Sequence, residues 1–320
     1  MVSPARKYLQ ITFLVLFFPL FFSSSALAWD DVGHKISAFI AWQRISPEAR
    51  NEVIRILRKA PEDSQLSTLY MVYGPEPEEL RRLEFFMIAA TWPDIIRDRE
   101  FPVRYRKYHH GNWHYADTFW RQVDGRAEIL PNADEGGEAV KKLNEFDKTI
   151  RNSSLSDGEK AIAIAWIMHI IGDLHQPLHT SARVTDMEPK GDQGGNLFLL
   201  SPKEAPRDKQ LNLHWFWDSI VNRVSPLRGD TCDRIYIQNL ARRFMARYPY
   251  SPQFSRLGSF EDLQKESFQL NPKSVYTPDL ERFRPPSAKY TKNAYSLAER
   301  QITLAGYRLG DLLNEVFGKK

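Results

Sequence analysis

An all-α fold, built as a single multi-helix domain, is what this sequence predicts, on three observations. Apolar residues recur at helical spacing in one segment after another, from Ile36, Phe39 and Ile40 to Ala298, Ile302, Ala305, Leu309, Leu312 and Leu313. Helix-start signals stand just before several of those segments. Few stretches alternate β-branched and polar residues, and no repeat of roughly 20 to 50 residues is visible. At 320 residues, with 42% hydrophobic and 12% aromatic content, the chain has the material for a large core.

The amino end is expected to stand apart from that domain. Arg6 and Lys7 precede the apolar run Ile11 to Phe22, which leads through Ser23-Ser24-Ser25 to Ala26-Leu27-Ala28, a small-x-small cleavage pattern. Residues 1–28 therefore read as a secretory signal peptide, with Trp29 as the new amino terminus and residues 29–320 as the domain. The apolar run is about a dozen residues, short of the roughly 20 that a membrane anchor needs. No later stretch is apolar enough to cross a membrane, so the expected product is secreted or periplasmic. Cys232 is the single cysteine, so no internal disulfide is possible. The formal charge of +4 falls to +2 (4 − 2) without Arg6 and Lys7, a balance that neither demands nor excludes an anionic partner. Asn152-Ser153-Ser154 fits a glycosylation acceptor, a pattern that is common by chance.

The first helix follows WDDVGH and runs over Lys35 to Arg44, with His34 at its mouth. Ser46-Pro47-Glu48 opens the second, whose buried stripe is Val53, Ile54 and Leu57. A third is expected from near Pro77 through Leu83, Phe86 and Ile88 towards Trp92, where Pro93 breaks it and leaves Asp94 at or past its end. Phe101 to Phe119 shows no clean period and reads as an irregular loop dense in His109, His110, His114, Tyr115 and Asp117. A turn over Asn132 to Gly137 precedes a polar amphipathic helix over Glu138 to Ile150. Ser156 and Glu159 form a capping box before the long helix that carries His169 and Asp173.

Those two residues stand one helical turn apart, which puts imidazole and carboxylate on one face. Such a pair is half a metal site or a plain ion pair. Pro177 cannot continue the helix, so the chain turns and aims His179 back at the same volume; His175 reads as a capping or packing residue. After a glycine-bearing loop ending Gly194-Gly195-Asn196, whose backbone can approach a ligand, His214 and Asp218 repeat the same spacing. Further helices are expected over Asp233 to Arg247 and Phe260 to Phe268, and a last one over Ala294 to Val316.

Five of the eight histidines (His34, His114, His169, His179 and His214) thus join Asp94, Asp173 and Asp218 as candidate ligands. Nitrogen and oxygen donors without thiolate favour catalytic zinc over a structural knot. Eight side chains exceed the three that one catalytic ion usually takes, so more than one Zn2+ is expected. A free α-amine and the carbonyl of Trp29 would add a chelating pair if cleavage follows Ala28.

The motifs WxxxGH from Trp29, WPD at Trp92, WHYAD at Trp113, HxxGDLHQPLH from His169 to His179 and NLHxxWD from Asn212 to Asp218, with ERQITLAGYRLGDLLN from Glu299, resemble the S-one/P-one nuclease family. The resemblance covers nearly all of Trp29 to Val316. It implies a fold related to zinc-dependent phospholipase C, three zinc ions, and hydrolysis of single-stranded DNA, RNA and 3'-nucleotides to 5'-nucleotides or nucleosides. Carried over by motif, Asp94, His114, His169 and Asp173 hold one ion. Trp29, His34 and the shared Asp173 hold its neighbour, and His179, His214 and Asp218 hold the third. It implies attack on phosphorus by a hydroxide shared across Asp173, with Asp94 as the catalytic residue that orients it.

For substrate, the resemblance implies a base stacked on Tyr115 and bonded at its edge by Asp117, which otherwise reads as a brace for His114. Arg97 is either a phosphate contact or a surface arginine. The chain departs from the fungal pattern in lacking disulfides, in carrying His175, and in a longer Arg97 to Trp113 segment. It is expected to act as a monomer. A zinc phospholipase C and a zinc-binding protein without turnover are the competing readings.

Overall fold

A computed structural model of the protein describes residues 29–131, 136–229 and 231–318. The expected signal peptide, and residues 132–135 of the expected turn over Asn132 to Gly137, lie outside the described residues. Helices dominate as the sequence predicts. In order they are α1 (Asp31–Arg44), α2 (Pro47–Leu57), α3 (Glu78–Ala89), α4 (Trp92–Ile95), α5 (Pro102–Tyr108), α6 (Ala139–Arg151), α7 (Asp157–Leu174), α8 (Leu213–Asp218), α9 (Ile220–Val224), α10 (Asp233–Arg247), α11 (Pro252–Ser255), α12 (Phe260–Phe268) and α13 (Ala288–Phe317).

The caps follow the local chemistry. Asp30 accepts from the Gly33 amide at the head of α1, and Ser46 caps α2 ahead of Pro47 at its first turn. The Ser156 and Glu159 capping box opens α7, and Ser259 with Asp262 forms another at α12. Helix α7 is apolar on every side, which suits a helix enclosed by others rather than one lying on a surface. Every residue from Ala163 to Leu174 is buried, and α1, α2, α4, α6, α12 and α13 all pack on it. One contiguous apolar core surrounds it, from Trp29 to Leu313.

Four expectations need correction. Pro93 does not end the third helix: α3 stops at Ala89 and the proline sits in the first turn of α4, where its missing amide costs nothing, so Asp94 lies inside a helical turn. The segment read as irregular contains α5, started by Pro102, and a 3-10 turn over Gly111–Trp113. The last helix begins at Ala288, capped by Ser287, six positions before Ala294. A small sheet is also present, of β1 (Thr118–Val123), β2 (Arg126–Ile129) and β3 (Ser181–Arg183), in the order β2-β1-β3.

The sheet matters because of what it joins. Strands β1 and β2 form a hairpin around Asp124-Gly125, both at positive φ (48° and 73°), the conformation such a two-residue turn requires. Strand β3 lies parallel to β1, with Phe119 opposite Ala182. Just before this pairing, the Ala116 amide donates to the His179 carbonyl at 2.9 Å. Two segments about sixty residues apart are thereby stitched together beside the end of α7.

The long α13 lies along α1. The approach is close enough that a Cβ at Gly306 would stand 2.6 Å from both Ile40 Cβ and the Ser37 carbonyl oxygen. Gly306→Ala should therefore cost roughly 1–3 kcal/mol as an overpacked core change. At this size that lowers Tm by about 2–4 °C for each kcal/mol. Thermal unfolding followed by circular dichroism checks this, and an unchanged Tm would contradict the packing described.

Candidate metal centre

The last turns of α7 carry His169 and Asp173 into a point where several elements meet. His34, in the first turn of α1, stacks on His169 with ring centres 3.9 Å apart. That approach is possible because α7 has Gly172 there, where a Cβ would stand 2.8 Å from His34 Nδ1. His114, just after the 3-10 turn, is held edge-on against Trp166 at 5.2 Å. Asp94 arrives from α4.

Their donor atoms converge. The Asp173 carboxylate lies 3.2 Å from His34 Nε2, 3.1 Å from His114 Nδ1 and 3.3 Å from His169 Nε2. His169 Nε2 is also 2.9 Å from His114 Nδ1 and 3.7 Å from Asp94 Oδ1. A second group forms where the turn after α7 meets α8. There His214 Nε2 lies 3.1 Å from His179 Nε2 and 3.3 Å from Asp218 Oδ2. Each of three triads, His34/His169/Asp173, Asp94/His114/His169 and His179/His214/Asp218, has its donor atoms within 4.8 Å of one another. A tetrahedral ion with bonds of about 2.0–2.1 Å holds its ligands roughly 3.3 Å apart, so these separations suit zinc.

Protonation decides what the groups can bind. His169, His179 and His214 each place Nδ1 against a backbone carbonyl, of Ala90 (2.8 Å), His114 (2.7 Å) and Gly194 (2.7 Å). A carbonyl only accepts, so Nδ1 carries a proton and Nε2 is the nitrogen turned towards the centre. The Nε2 atoms of His179 and His214 thus meet at 3.1 Å, a spacing at which both can bind one cation. Asp173 Oδ1 and Asp218 Oδ2 are buried without a hydrogen bond.

Burial sets the charge state. It pushes the Asp218 carboxyl up to about 7, and Asp94 and Asp173 upward as well. The same burial pushes His34 down to about 4 and holds His114, His169 and His179 below the usual imidazole range. Neutral imidazoles are ready ligands, whereas the carboxylates ionise at little cost only when a cation is present.

Supporting contacts include one the sequence reading passed over. Gln176 donates to Asp218 Oδ1 at 2.7 Å and accepts from the Leu178 amide at 2.7 Å, fixing both the carboxylate and the turn. Its place between His175 and Pro177 was the available signal. His175 is structural, as read: it donates to the Ile171 carbonyl and accepts from Arg308. The Gly194 loop meets the His214 imidazole with its backbone, so its carbonyl orients a candidate ligand.

The remaining expected residues fall around this centre. Trp29 is buried, and the next amide, of Asp30, donates to the Asp218 carbonyl at 3.0 Å, which straps the start of the domain to the second group. Arg97 is not a surface arginine: its side chain is 11% exposed and lies 2.9 Å from Asp94 Oδ1. Asp117 does not brace His114, whose Nε2 has no hydrogen bond. Its own carboxyl, with Oδ1 unpartnered, is pushed well up by burial and by Asp192. Tyr115 is half-buried beside the Gly137 backbone.

With this geometry in view, comparison with known proteins is decisive: the S1/P1 Nuclease family matches residues 29–318. The chain belongs to that family. Endonuclease 4 of Arabidopsis thaliana is 23% identical over 93% of this chain and 92% of its own length. Nuclease P1 of Penicillium citrinum is 24% identical over 60% of this chain and 58% of its own length. Endonuclease 3 of Arabidopsis thaliana is 22% identical over 93% of the chain. Among the described residues of this nuclease-family chain, no helix is long and apolar enough to cross a membrane.

A pH dependence follows from the carboxylates. Asp218 sits above its ordinary 3.8 in the metal-free fold, so its contribution to stability is complete below about 4 and is lost as pH rises through about 7. Bound cations favour the ionised form and cancel that loss. The difference in Tm between zinc-loaded and chelator-treated protein should therefore widen from pH 6 to pH 8. Differential scanning calorimetry at fixed free zinc checks it, and a gap that narrows with pH would count against metal binding here.

Proposed function

We propose that the protein is a secreted or periplasmic zinc-dependent nuclease and 3'-nucleotidase. It cleaves single-stranded DNA and RNA to 5'-nucleotides and releases phosphate from 3'-nucleotides. The observation that carries the zinc reading is the convergence of buried imidazole and carboxylate donors, three triads each with its donor atoms within 4.8 Å of one another. Family membership supports the nucleic-acid substrate. The leader-like residues 1–28, which precede the family match at Trp29, support export.

Three ions are proposed: one on Asp94, His114, His169 and Asp173, a neighbour on His34, Asp173 and the amine and carbonyl of Trp29, and a third on His179, His214 and Asp218. When bound, zinc lowers the pKa of water towards 7 and neutralises charge on an in-line phosphoryl transition state. The protein supplies the rest. Asp173, with Oδ1 facing His34 and Oδ2 facing His114 and His169, would supply an oxygen to each of the first two ions. Asp94, anchored by Arg97, orients the attacking water and takes its proton. Arg97 places positive charge next to the incoming phosphate. Tyr115 stacks an unpaired base, and Asp117, whose Oδ1 has no hydrogen bond within the protein, bonds to its edge.

The test is turnover of single-stranded DNA, adenosine 3'-monophosphate and phosphatidylcholine by the zinc-loaded domain starting at Trp29. Hydrolysis of the first two is expected, and turnover of the lipid alone would transfer the protein to the phospholipase C reading. In Asp173→Asn, kcat/KM should fall by at least about a thousandfold and bound zinc should drop by one ion or more. Wild-type rate with full metal content would contradict the bridging role.

The amine of Trp29 gives a separate check. Adding one residue before Trp29 should remove a zinc ion and most of the activity, read by elemental analysis beside the assay. An extended protein with normal zinc content and rate would exclude the α-amine as a ligand.

A further inference from the structure

Residues 97–110 read RDREFPVRYRKYHH, five cations against two carboxylates. Three of those cations are committed. Arg97 lies against Asp94, buried Arg104 bonds to Gln65 (2.7 Å) and the Ile95 carbonyl (3.0 Å), and Lys107 reaches Asp63 at 2.6 Å. Arg99 is exposed and makes no ion pair among the described residues. Of the nearby acids, Asp98 turns to the Glu100 amide at 2.9 Å.

Aromatic rings run beside these cations. The Arg99 guanidinium lies 5.5 Å from the centre of the Tyr105 ring. Tyr105 and His109 stand one turn apart on α5 and its cap and stack at 4.8 Å. His110 stacks on Trp113 at 3.7 Å, and Lys142 Nζ lies 4.5 Å from the same indole. His109 Nδ1 is buried without a partner. Burial, with Arg97 and Arg99 nearby, pushes His109 down to about 4, so it is a neutral, flat group rather than a competing cation. The strip starts at the Arg97 and Asp94 pair and ends at Trp113, next to the candidate ligand His114.

Cations interleaved with planar rings are how proteins hold single strands without reading sequence, since every base has a face to stack and every link a phosphate. We propose that residues 97–113 form a shelf for the nucleotides flanking the cleaved phosphate, with Arg99 contacting a neighbouring phosphate and the Tyr105 and His109 pair supporting a base. The inference rests on the nuclease reading above and deepens it by naming the surface that holds nucleotides beyond the cleaved phosphate. A 3'-mononucleotide has no flanking nucleotide to place against Arg99 or the Tyr105 and His109 pair.

The experiment compares wild type, Arg99→Ala, Arg99→Lys and His109→Ala in two measurements. Turnover is read on a twelve-residue oligothymidylate and on adenosine 3'-monophosphate. Binding of the same oligonucleotide, fluorescently labelled, is read by anisotropy across a salt series, with Asp173→Asn added to each protein to block cleavage. Arg99→Ala should lower oligonucleotide kcat/KM about tenfold while changing the mononucleotide value less than twofold. It should also flatten the slope of log affinity against log salt by about 0.7, the share of one phosphate contact on a single strand. Arg99→Lys should restore the slope, and His109→Ala should weaken binding without changing it.

Equal loss on both substrates would mean that Arg99 only shapes the loop, and an unchanged oligonucleotide rate and slope would also overturn the shelf. If wild type cleaves neither substrate yet binds the oligonucleotide through Arg99, the hydrolase reading fails and the shelf stands.

Discussion

Asp173 is a carboxylate placed at the end of a helix whose last three turns are buried, surrounded by three imidazoles and no lysine or arginine of its own. Burying such a charge costs several kcal/mol unless something positive compensates it. The imidazoles do not compensate by protonation, because the same burial holds them neutral. Burial pushes the Asp173 carboxyl upward, and a bound cation would favour its ionised form. The elements that converge on α7 bring imidazole and carboxylate donors that could hold one.

Backbone carbonyls do much of the orienting. Those of Ala90, His114 and Gly194 each accept a hydrogen bond from the Nδ1 of a histidine, which turns its Nε2 towards the neighbouring candidate ligands. They come from the end of α3, from the residue before the Tyr115 to Asp117 segment, and from a glycine loop, all places where helical bonding has stopped and carbonyls are available. Irregular backbone at the site is thus part of how it works. Gln176 and the Asp30 amide add the same kind of restraint on Asp218. Because so many candidate ligands are pre-aimed, a cation bound among them would couple metal binding to stability.

The helical plan was legible because it is local. Capping at Ser46, Ser156 and Ser259 and the apolar period of α7 and α13 are decided within a few residues, and the structure follows them. The misreadings have separate causes. Pro93 and Pro102 both open helices, since proline in the first turn looks in sequence like a breaker until the partner surface is known. The β1 and β2 hairpin had a signal, Asp124-Gly125 between aromatic and β-branched residues, which a search for long alternation overlooked. Strand β3 had none, because its three residues form a strand only by pairing with β1.

By itself the sequence determined the donor types, their i,i+4 spacing at His169/Asp173 and His214/Asp218, the turn at Pro177 and the family, since each depends on residue identity and near-neighbour geometry. Tertiary structure alone decided that His34 stacks on His169, that Asp173 is common to three imidazoles, that Arg97 is held by Asp94 and that Asp117 stands apart from His114. The reason is physical. Distances between residues far apart in the chain are set by which buried surfaces pack together, and no local rule for charge, cap or period contains that information.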